Sequence, residues 1–418
     1  KDPATASPLA SAYLADVHDV EVVDPFVVRF RFAHPHAQPL EGFGWAPVPR
    51  HLLDTVPPER MRQAAFNRAP VGSGPFRFVE WQPQRHAVFE RNPDFPEALG
   101  GPPRLDRIVF RVVEESTTRL TELLNGGLDV NLALWPGEAL QAARVPGVRV
   151  LSYPSRNFYY IGWNTRRPWF ARAAVRRALT MAIDRARIIE TLAYGQADPA
   201  AGPIPPWHPF SDPSLRPLPY DPEAARAILA REGWADRDGD GVREDPAGRA
   251  FRFTLLANVE NPVRADIAQV VQAQLREVGV DVQVRLFEWQ TMLARHRARD
   301  FDAVVTSWVL DSFRVDPYAL FHSAEADLPG SYNRSGLRSP AVDRWIDAGR
   351  RTPDPERAAE IWARFGRALQ EEQPFTFLFW VRGLAGVRDR VKGVRMDARG
   401  QLATVADWWV APERDGSR

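Results

Sequence analysis

FRFTLLA (251–257), NPVRADIAQVVQAQLREVG (261–279), VDVQVRLFEW (280–289), TMLARHRARD (291–300) and FDAVVTSW (301–308) follow one another almost without interruption. The first is a short apolar run rich in strand formers. The second carries Asn261 as N-cap, Pro262 at the first helical position and Gly279 at the stop, the usual punctuation of a helix. In the third, Val280, Val282, Val284 and Leu286 alternate with polar residues, the period of a strand. A short helix and a third apolar strand complete the series. Strand–helix–strand–helix–strand predicts a parallel α/β sheet with right-handed crossovers. Ligands of such sheets sit beyond the carboxyl ends of the strands. That rule points to VLDSFRVDP (309–317), just after Trp308.

Working outward, VHDVEVVDPFVVRFRF (17–32) reads as two short strands broken at Asp24-Pro25, and 34–70 as Pro-rich and irregular. Residues 71–93 give a turn, a strand, a turn and a strand, and ESTTRLTELLNGG (115–127) a helix stopped by Gly126-Gly127. AAVRRALTMAIDRARIIETL (173–192) predicts one amphipathic helix, with Val175, Leu179, Ala182, Ile183, Ile189 and Leu192 on the buried face and Arg on the other. DPEAARAILAREG (221–233) predicts a further helix capped by Asp221.

The chain has 418 residues, 44% hydrophobic and 26% charged, enough for two or three domains with large cores. Its 54 basic and 53 acidic side chains leave a formal charge of +1. No strong field favours nucleic acid, and none is expected as a partner. The absence of cysteine removes disulfides, thiolate zinc sites and thiol nucleophiles. No apolar run reaches the ~18 residues of a spanning helix. No P-loop, G-x-G-x-x-G, HExxH or G-x-S-x-G occurs, so the common hydrolase, kinase and dehydrogenase readings lack an anchor.

DRDGDGVRED (236–245) places Asp236, Asp238, Asp240 and Gly241 at positions 1, 3, 5 and 6 of a calcium loop, with Glu244 at position 9. Position 12 is Ala247, not a bidentate Glu, and a strand follows where an EF-hand needs a helix. Two readings stay open, a single calcium ion stiffening the loop and a solvated acidic turn. His34 and His36 are a weaker metal candidate at a strand end. Asp311 is the residue of most interest. A carboxylate partly withdrawn from water needs a cation. A ligand ammonium would serve, with Trp308 as an apolar or cation–π wall. Capping a turn or pairing with an arginine are the competing roles.

VGSGPFRFVEWQPQRHAVFERNPDF (71–95), YYIGWNTRRPWFARAAVRRALTMAIDRARIIETLAYGQADPAAGPIPP (159–206) and SWVLDSFRVDPYALF (307–321) occur in this order, joined by SYNRSGLRSPAVDRWIDAG (331–349) and FTFLFWVRG (375–383). They resemble the solute-binding proteins of peptide ABC importers, the dipeptide, oligopeptide and nickel binders. GWNT (162–165), VRRAL (175–179) and AIDR (182–185) are the most specific parts. The resemblance covers essentially the whole chain. It implies an α/β, two-lobed periplasmic-binding-protein-like fold of mixed sheets with flanking helices, plus a small β-rich domain truncated at its N-terminus. Residues 1–70 would belong to the small domain, 71–168 and 378–418 to lobe I, and 169–377 to lobe II.

The resemblance further implies that Asp311, three residues after Trp308, binds a peptide's amino group. Trp163, Asn164 and Asn333 are expected to line the ligand, from their place near the hinge or cleft. The implied function is capture of short peptides and delivery to a membrane permease, without catalysis and with no required cofactor beyond the candidate structural calcium. A monomer is expected, periplasmic or extracellular, with a lipid anchor in a preceding segment. A nickel chelate, an oligosaccharide or an opine remain alternative solutes. The ligand-sensing half of a transcription regulator on the same fold is the alternative from another class.

Overall fold

A computed structural model describes residues 3–5, 14, 17–35, 38–44, 46–310 and 313–412. The chain packs into two compact units. One comprises Lys1–Ala33, Gly42–Ser155 and Arg382–Arg418, the other His34–Glu41 and Arg156–Val381.

In the first unit, β1 (Val17–Asp24) and β2 (Val27–Phe32) form an antiparallel hairpin that turns at Pro25-Phe26. β3 (Phe76–Gln82), β4 (His86–Arg91) and β5 (Arg107–Arg111) form an antiparallel meander. The helix Ser116–Asn125 ends where Gly126 takes a φ of +89°, a conformation that glycine alone adopts freely. Leu120 and Leu123 of this helix pack with Leu134, Ala142, Val148 and Leu384. β6 (Val130–Asn131) pairs with Gly386-Val387.

β7 (Val148–Trp163) and, later in the chain, β12 (Phe375–Arg388) are long, and the division between units falls inside each. The second unit contains their Arg156–Trp163 and Phe375–Val381 portions, together with β8 (Ala197–Pro199), β9 (Arg252–Asn258), β10 (Asp281–Phe287) and β11 (Ala303–Val309). The order is β10-β9-β11-β7-β12, with β8 on β12. β9 pairs in parallel with both β10 and β11, as the strand–helix alternation predicts. β11 then pairs antiparallel with β7, from Ala303↔Trp163 to Val309↔Asn157, so the sheet is mixed.

The helix Pro262–Arg276 joins β9 to β10, and the Asn261 side chain caps it by accepting the Arg264 N–H. It packs Ile267, Ala268, Val271 and Leu275 against one sheet face, with Trp163, Phe170, Phe251 and Phe253 in the same core. A second core of Phe158, Tyr160, Phe321, Trp362, Phe365, Phe375, Phe377 and Trp380 is also built in this unit.

Two sequence expectations need correction. The stretch 173–192 is not one helix. It breaks into Ala173–Met181 and Arg185–Leu192, because Asp184 leaves helical geometry to cap the second helix through the Arg187 N–H, while its own N–H is taken by Gln274 Oε1. The arginine face is not wholly solvated either. Arg176 is 2% exposed and donates to the carbonyls of Glu372 and Phe170, at 2.8 and 2.7 Å. Burial pushes its pKa down to about 10, and those acceptors are what make the burial tolerable.

The helices Pro340–Arg351 and Pro355–Glu372 are capped by Ser339 and Asp354 and pack as a pair. Their contact depends on Gly349, where an added Cβ would lie 2.4 Å from the Trp362 ring. Alanine is the better helix former, by ~1 kcal/mol. The overpacked ring outweighs that gain. Gly349→Ala should lower unfolding free energy by about 1–3 kcal/mol in urea titration; equal or greater stability would refute this account of the contact.

Candidate functional site

The parallel pair β9 and β11 ends at Asn258 and at Ser307–Val309, and side chains converge there within the second unit. Arg264, in the first turn of the helix after β9, is only 8% exposed. One Nη donates to Asn258 Oδ1 at 2.8 Å and the other to Ser307 Oγ at 2.6 Å. The guanidinium lies over the rings of Tyr159 and Trp289, at 5.5 and 5.2 Å. Its Nε is buried without an acceptor. No carboxylate stands within ion-pair reach of it among the described residues. The nearest acidic link is indirect, since Asn258 Nδ2 donates to Glu260, whose other oxygen accepts the Trp289 N–H. Those hydrogen bonds hold the Glu260 carboxyl below its usual range, the Trp289 amide being the main cause. Burial depresses the Arg264 pKa. A buried cation bound only by neutral groups is costly, and its position at strand ends is where ligands of such sheets bind.

On the other face of β11, the half-buried Trp308 meets Tyr332 edge-on with centroids 5.0 Å apart. Tyr332 is 48% exposed, so the pair presents an aromatic surface. Arg334 lies 5.3 Å over the Tyr332 ring and donates to Nδ1 of His296 at 3.0 Å. Asp311, like His36, lies outside the described residues. The chain on either side of it is well held. The Leu310 N–H donates to the Arg156 carbonyl at 2.8 Å, and His208 Nε2 bonds the Phe313 carbonyl at 2.9 Å.

The three other expected lining residues are buried and hydrogen-bonded within the protein. Trp163 is fully buried, and its indole N–H donates to Thr376 Oγ1 at 3.0 Å. Asn164 donates to the Phe301 and Arg299 carbonyls and accepts the Arg166 N–H. Asn333 is fully buried, donates to the His322 and Leu337 carbonyls and accepts from Leu337 N–H and Ser335 Oγ. These side chains have spent their hydrogen-bonding capacity on the protein. Arg264 was not anticipated, because in sequence it is one arginine among many on a helix. Only its place three residues after an N-cap that follows a parallel strand could have marked it.

In the loop 236–244, one carboxylate oxygen from each of Asp236, Asp238, Asp240 and Glu244 lies within 4.8 Å of the others. The three aspartates are exposed and Glu244 is 7% exposed. Asp236 accepts the N–H groups of Gly239 and Gly241, and Glu244 accepts that of Arg237. Gly239 and Gly241 take positive φ, which lets the loop close. This is the one group among the described residues whose donors suit a hard cation, all of them oxygens.

The model of the bacterial extracellular solute-binding proteins, family 5 Middle, matches residues 1–327. The oligopeptide-binding protein AppA of Bacillus subtilis (strain 168) is 30% identical over 370 residues, covering 87% of this chain and 66% of that protein. Di/tripeptide-binding protein 2 of Pseudomonas aeruginosa is 26% identical over 384 residues, covering 91% of this chain and 69% of its own. The chain thus spans about two thirds of the length of these relatives. Among solved structures, AppA of Bacillus subtilis in complex with a nonapeptide superposes with a TM-score of 0.79 at 26% identity, covering 98% of this chain and 82% of that one. NikZ of Campylobacter jejuni in complex with Ni(L-His) gives 0.83 at 22% identity, with 98% and 82% coverage, a likeness of fold.

His296 gives a test of the packing behind Trp308 and Tyr332. Burial, reinforced by Arg334, pushes its pKa down to about 3. The folded state refuses a proton that the unfolded chain takes up near pH 6.5, so this contribution is complete above ~6.5 and is lost as pH falls toward ~3. His296→Gln, which keeps an acceptor for Arg334, should flatten the loss of stability across that window, a difference of a few kcal/mol at about 1.4 kcal/mol per pKa unit. An unchanged slope would exclude His296 as its cause.

Proposed function

The chain belongs to the bacterial extracellular solute-binding proteins of family 5, and on that premise we propose that it captures short peptides and delivers them to the permease of an ABC importer. The observation that carries the reading to this chain's own residues is Arg264, a buried guanidinium without a carboxylate at the ends of β9 and β11. A peptide brings the missing group as its C-terminal carboxylate or an acidic side chain. Asp311, three residues beyond Trp308, takes the amino group in this proposal, and the Trp308–Tyr332 pair offers an apolar surface to side chains. A ligand bearing both charges is held at both ends, while loosely fitted pockets admit many sequences.

The working cycle is binding, closure of two lobes by hinge motion and release to the membrane partner. It breaks no bond, and no group needs a pKa tuned for proton transfer. Affinity near micromolar, about −8 kcal/mol, suits capture followed by release. The protein acts as a monomer outside the cytoplasmic membrane, on the periplasmic or extracellular side, with a lipid anchor as one means of retention.

Thermal-shift and calorimetric titration with di- to nonapeptides, oligosaccharides and nickel–histidine tests the solute class. Peptides are expected to raise the melting temperature. Arg264→Gln should weaken peptides with a free C-terminus by about 30-fold or more, the usual cost of breaking a buried charge pair, with little effect on amidated ones. Asp311→Asn should do the same for peptides with a free N-terminus, compared with acetylated ones. A shift with sugar or nickel–histidine and none with any peptide would overturn the reading.

We also propose that the loop carrying Asp236, Asp238, Asp240 and Glu244 holds one calcium ion that stiffens it. Four carboxylate oxygens within 4.8 Å repel one another, and a divalent cation relieves that repulsion. Calcium at millimolar concentration should raise the melting temperature of the native chain by a few degrees, ~1 kcal/mol at a few-fold excess over Kd. Asp236→Ala combined with Asp240→Ala should abolish that rise. A rise of the same size in the variant would eliminate the site.

A further inference from the structure

The sheet of the second unit is covered unequally on its two faces. The long helix Pro262–Arg276 covers the face that carries Leu255 and Ala257. On the other face, Leu256, Phe301 and Val304 are covered by the helix Trp289–Arg297, through Met292 and Trp289. That helix has nine residues, or ~13 Å, against seven-residue strands of ~23 Å. It leaves part of the face open. The gap is a cavity of about 500 Å³ between β9, β10 and the chain around Asp300–Asp302, within the size range of small-ligand pockets, ~300–1,000 Å³.

Its walls have a definite charge balance. Three guanidiniums line it, those of Arg167, Arg285 and Arg295, against two carboxylates, Asp300 and Asp302. Asp302 pairs with Arg167 Nε at 2.9 Å and accepts the Thr254 N–H at 3.0 Å. Asp300 pairs with Arg295 at 2.7 Å. Arg295 also lies 5.0 Å over the Phe287 ring, which fixes it as part of the wall. Arg285 remains. It sits opposite Leu256 in the β10–β9 register, so it shares the cavity face, and it is exposed. No ion pair or hydrogen bond occupies its side chain among the described residues. The floor beneath it is apolar, made of Leu256, Phe287 and Phe301.

We propose that this cavity is a second binding site, for a small organic monoanion with a flat or branched apolar body, such as an aromatic carboxylate or sulfonate. The unpaired charge of Arg285 sets the single negative charge of the ligand. The Leu256–Phe287–Phe301 floor sets its apolar body, and the volume limits it to a molecule of one or two rings. Among the described residues its lining includes none of Arg264, Trp308 and Tyr332, so it is separate from the peptide site proposed above.

The test uses 8-anilino-1-naphthalenesulfonate, an aromatic monoanion whose fluorescence rises in apolar surroundings, beside its uncharged counterpart N-phenyl-1-naphthylamine. The native chain should bind the anion saturably and in preference to the neutral probe. Arg285→Ala should weaken the anion about three- to fivefold, the range of one partly exposed ion pair, and Arg285→Glu should abolish the preference. Thr254→Trp, which places an aromatic ring in the cavity from a strand position that tolerates one, should remove one site while circular dichroism stays native. Peptide-induced thermal shifts should be unchanged in the Arg285 variants, so this proposal and the peptide reading fail separately. Equal binding of the two probes, or anion binding indifferent to Arg285→Ala and Arg285→Glu, would overturn it, and should Thr254→Trp unfold, the Arg285 pair decides alone.

Discussion

A guanidinium removed from water must find acceptors for its N–H groups, and this Arg-rich chain meets that demand repeatedly in its second unit. Arg176 spends its donors on the carbonyls of Phe170 and Glu372, tying a helix to the turn that leads into β12. Arg334 donates to His296, which must remain neutral to receive it. In both cases burial of the cation is offset locally, and the geometry of the surrounding loops follows from it. Arg264, like Arg334, has no carboxylate partner among the described residues, but of the three it alone stands at the ends of the parallel strands β9 and β11. An amide, a hydroxyl and two aromatic faces receive it, and none of them carries a full negative charge. The functional reading grows from that placement.

The backbone architecture was largely open to inference. β9, the helix Pro262–Arg276, β10 and β11 follow their caps and alternation closely, because Asn261, Pro262 and Gly279 act through local geometry. The break in 173–192 was hidden, since its apolar period continues through Asp184 and the capping acid also reads as an ordinary helix-surface residue. The antiparallel pairing of β11 with β7 joins residues some 140 positions apart and has no local signal.

Site residues were harder to read. Trp163, Asn164 and Asn333 attract attention as polar or aromatic residues in distinctive motifs, yet each is buried and hydrogen-bonded within the protein: an indole bonded to Thr376 and two amides satisfied by backbone. Burial of a polar side chain is compatible with either role, and only the account of its partners separates them. The same account, with its place at the strand ends, singles out Arg264. It also distinguishes Arg285 from Arg167 and Arg295, which look equivalent in sequence and differ only in whether an aspartate neutralises them.

β7 and β12 each run through the division between the two units, and the first unit recruits Arg382–Arg418 from the far end of the chain. A ribosome making this protein has therefore finished the second unit's last strand portion before the first unit's final segment exists. The earlier-made unit is the later one to be completed, and its half-built sheet edges wait, unpaired, for the end of synthesis. Its hairpin β1–β2 and meander β3–β5 pair locally, but the partner of β6 at Gly386-Val387 comes only near the end.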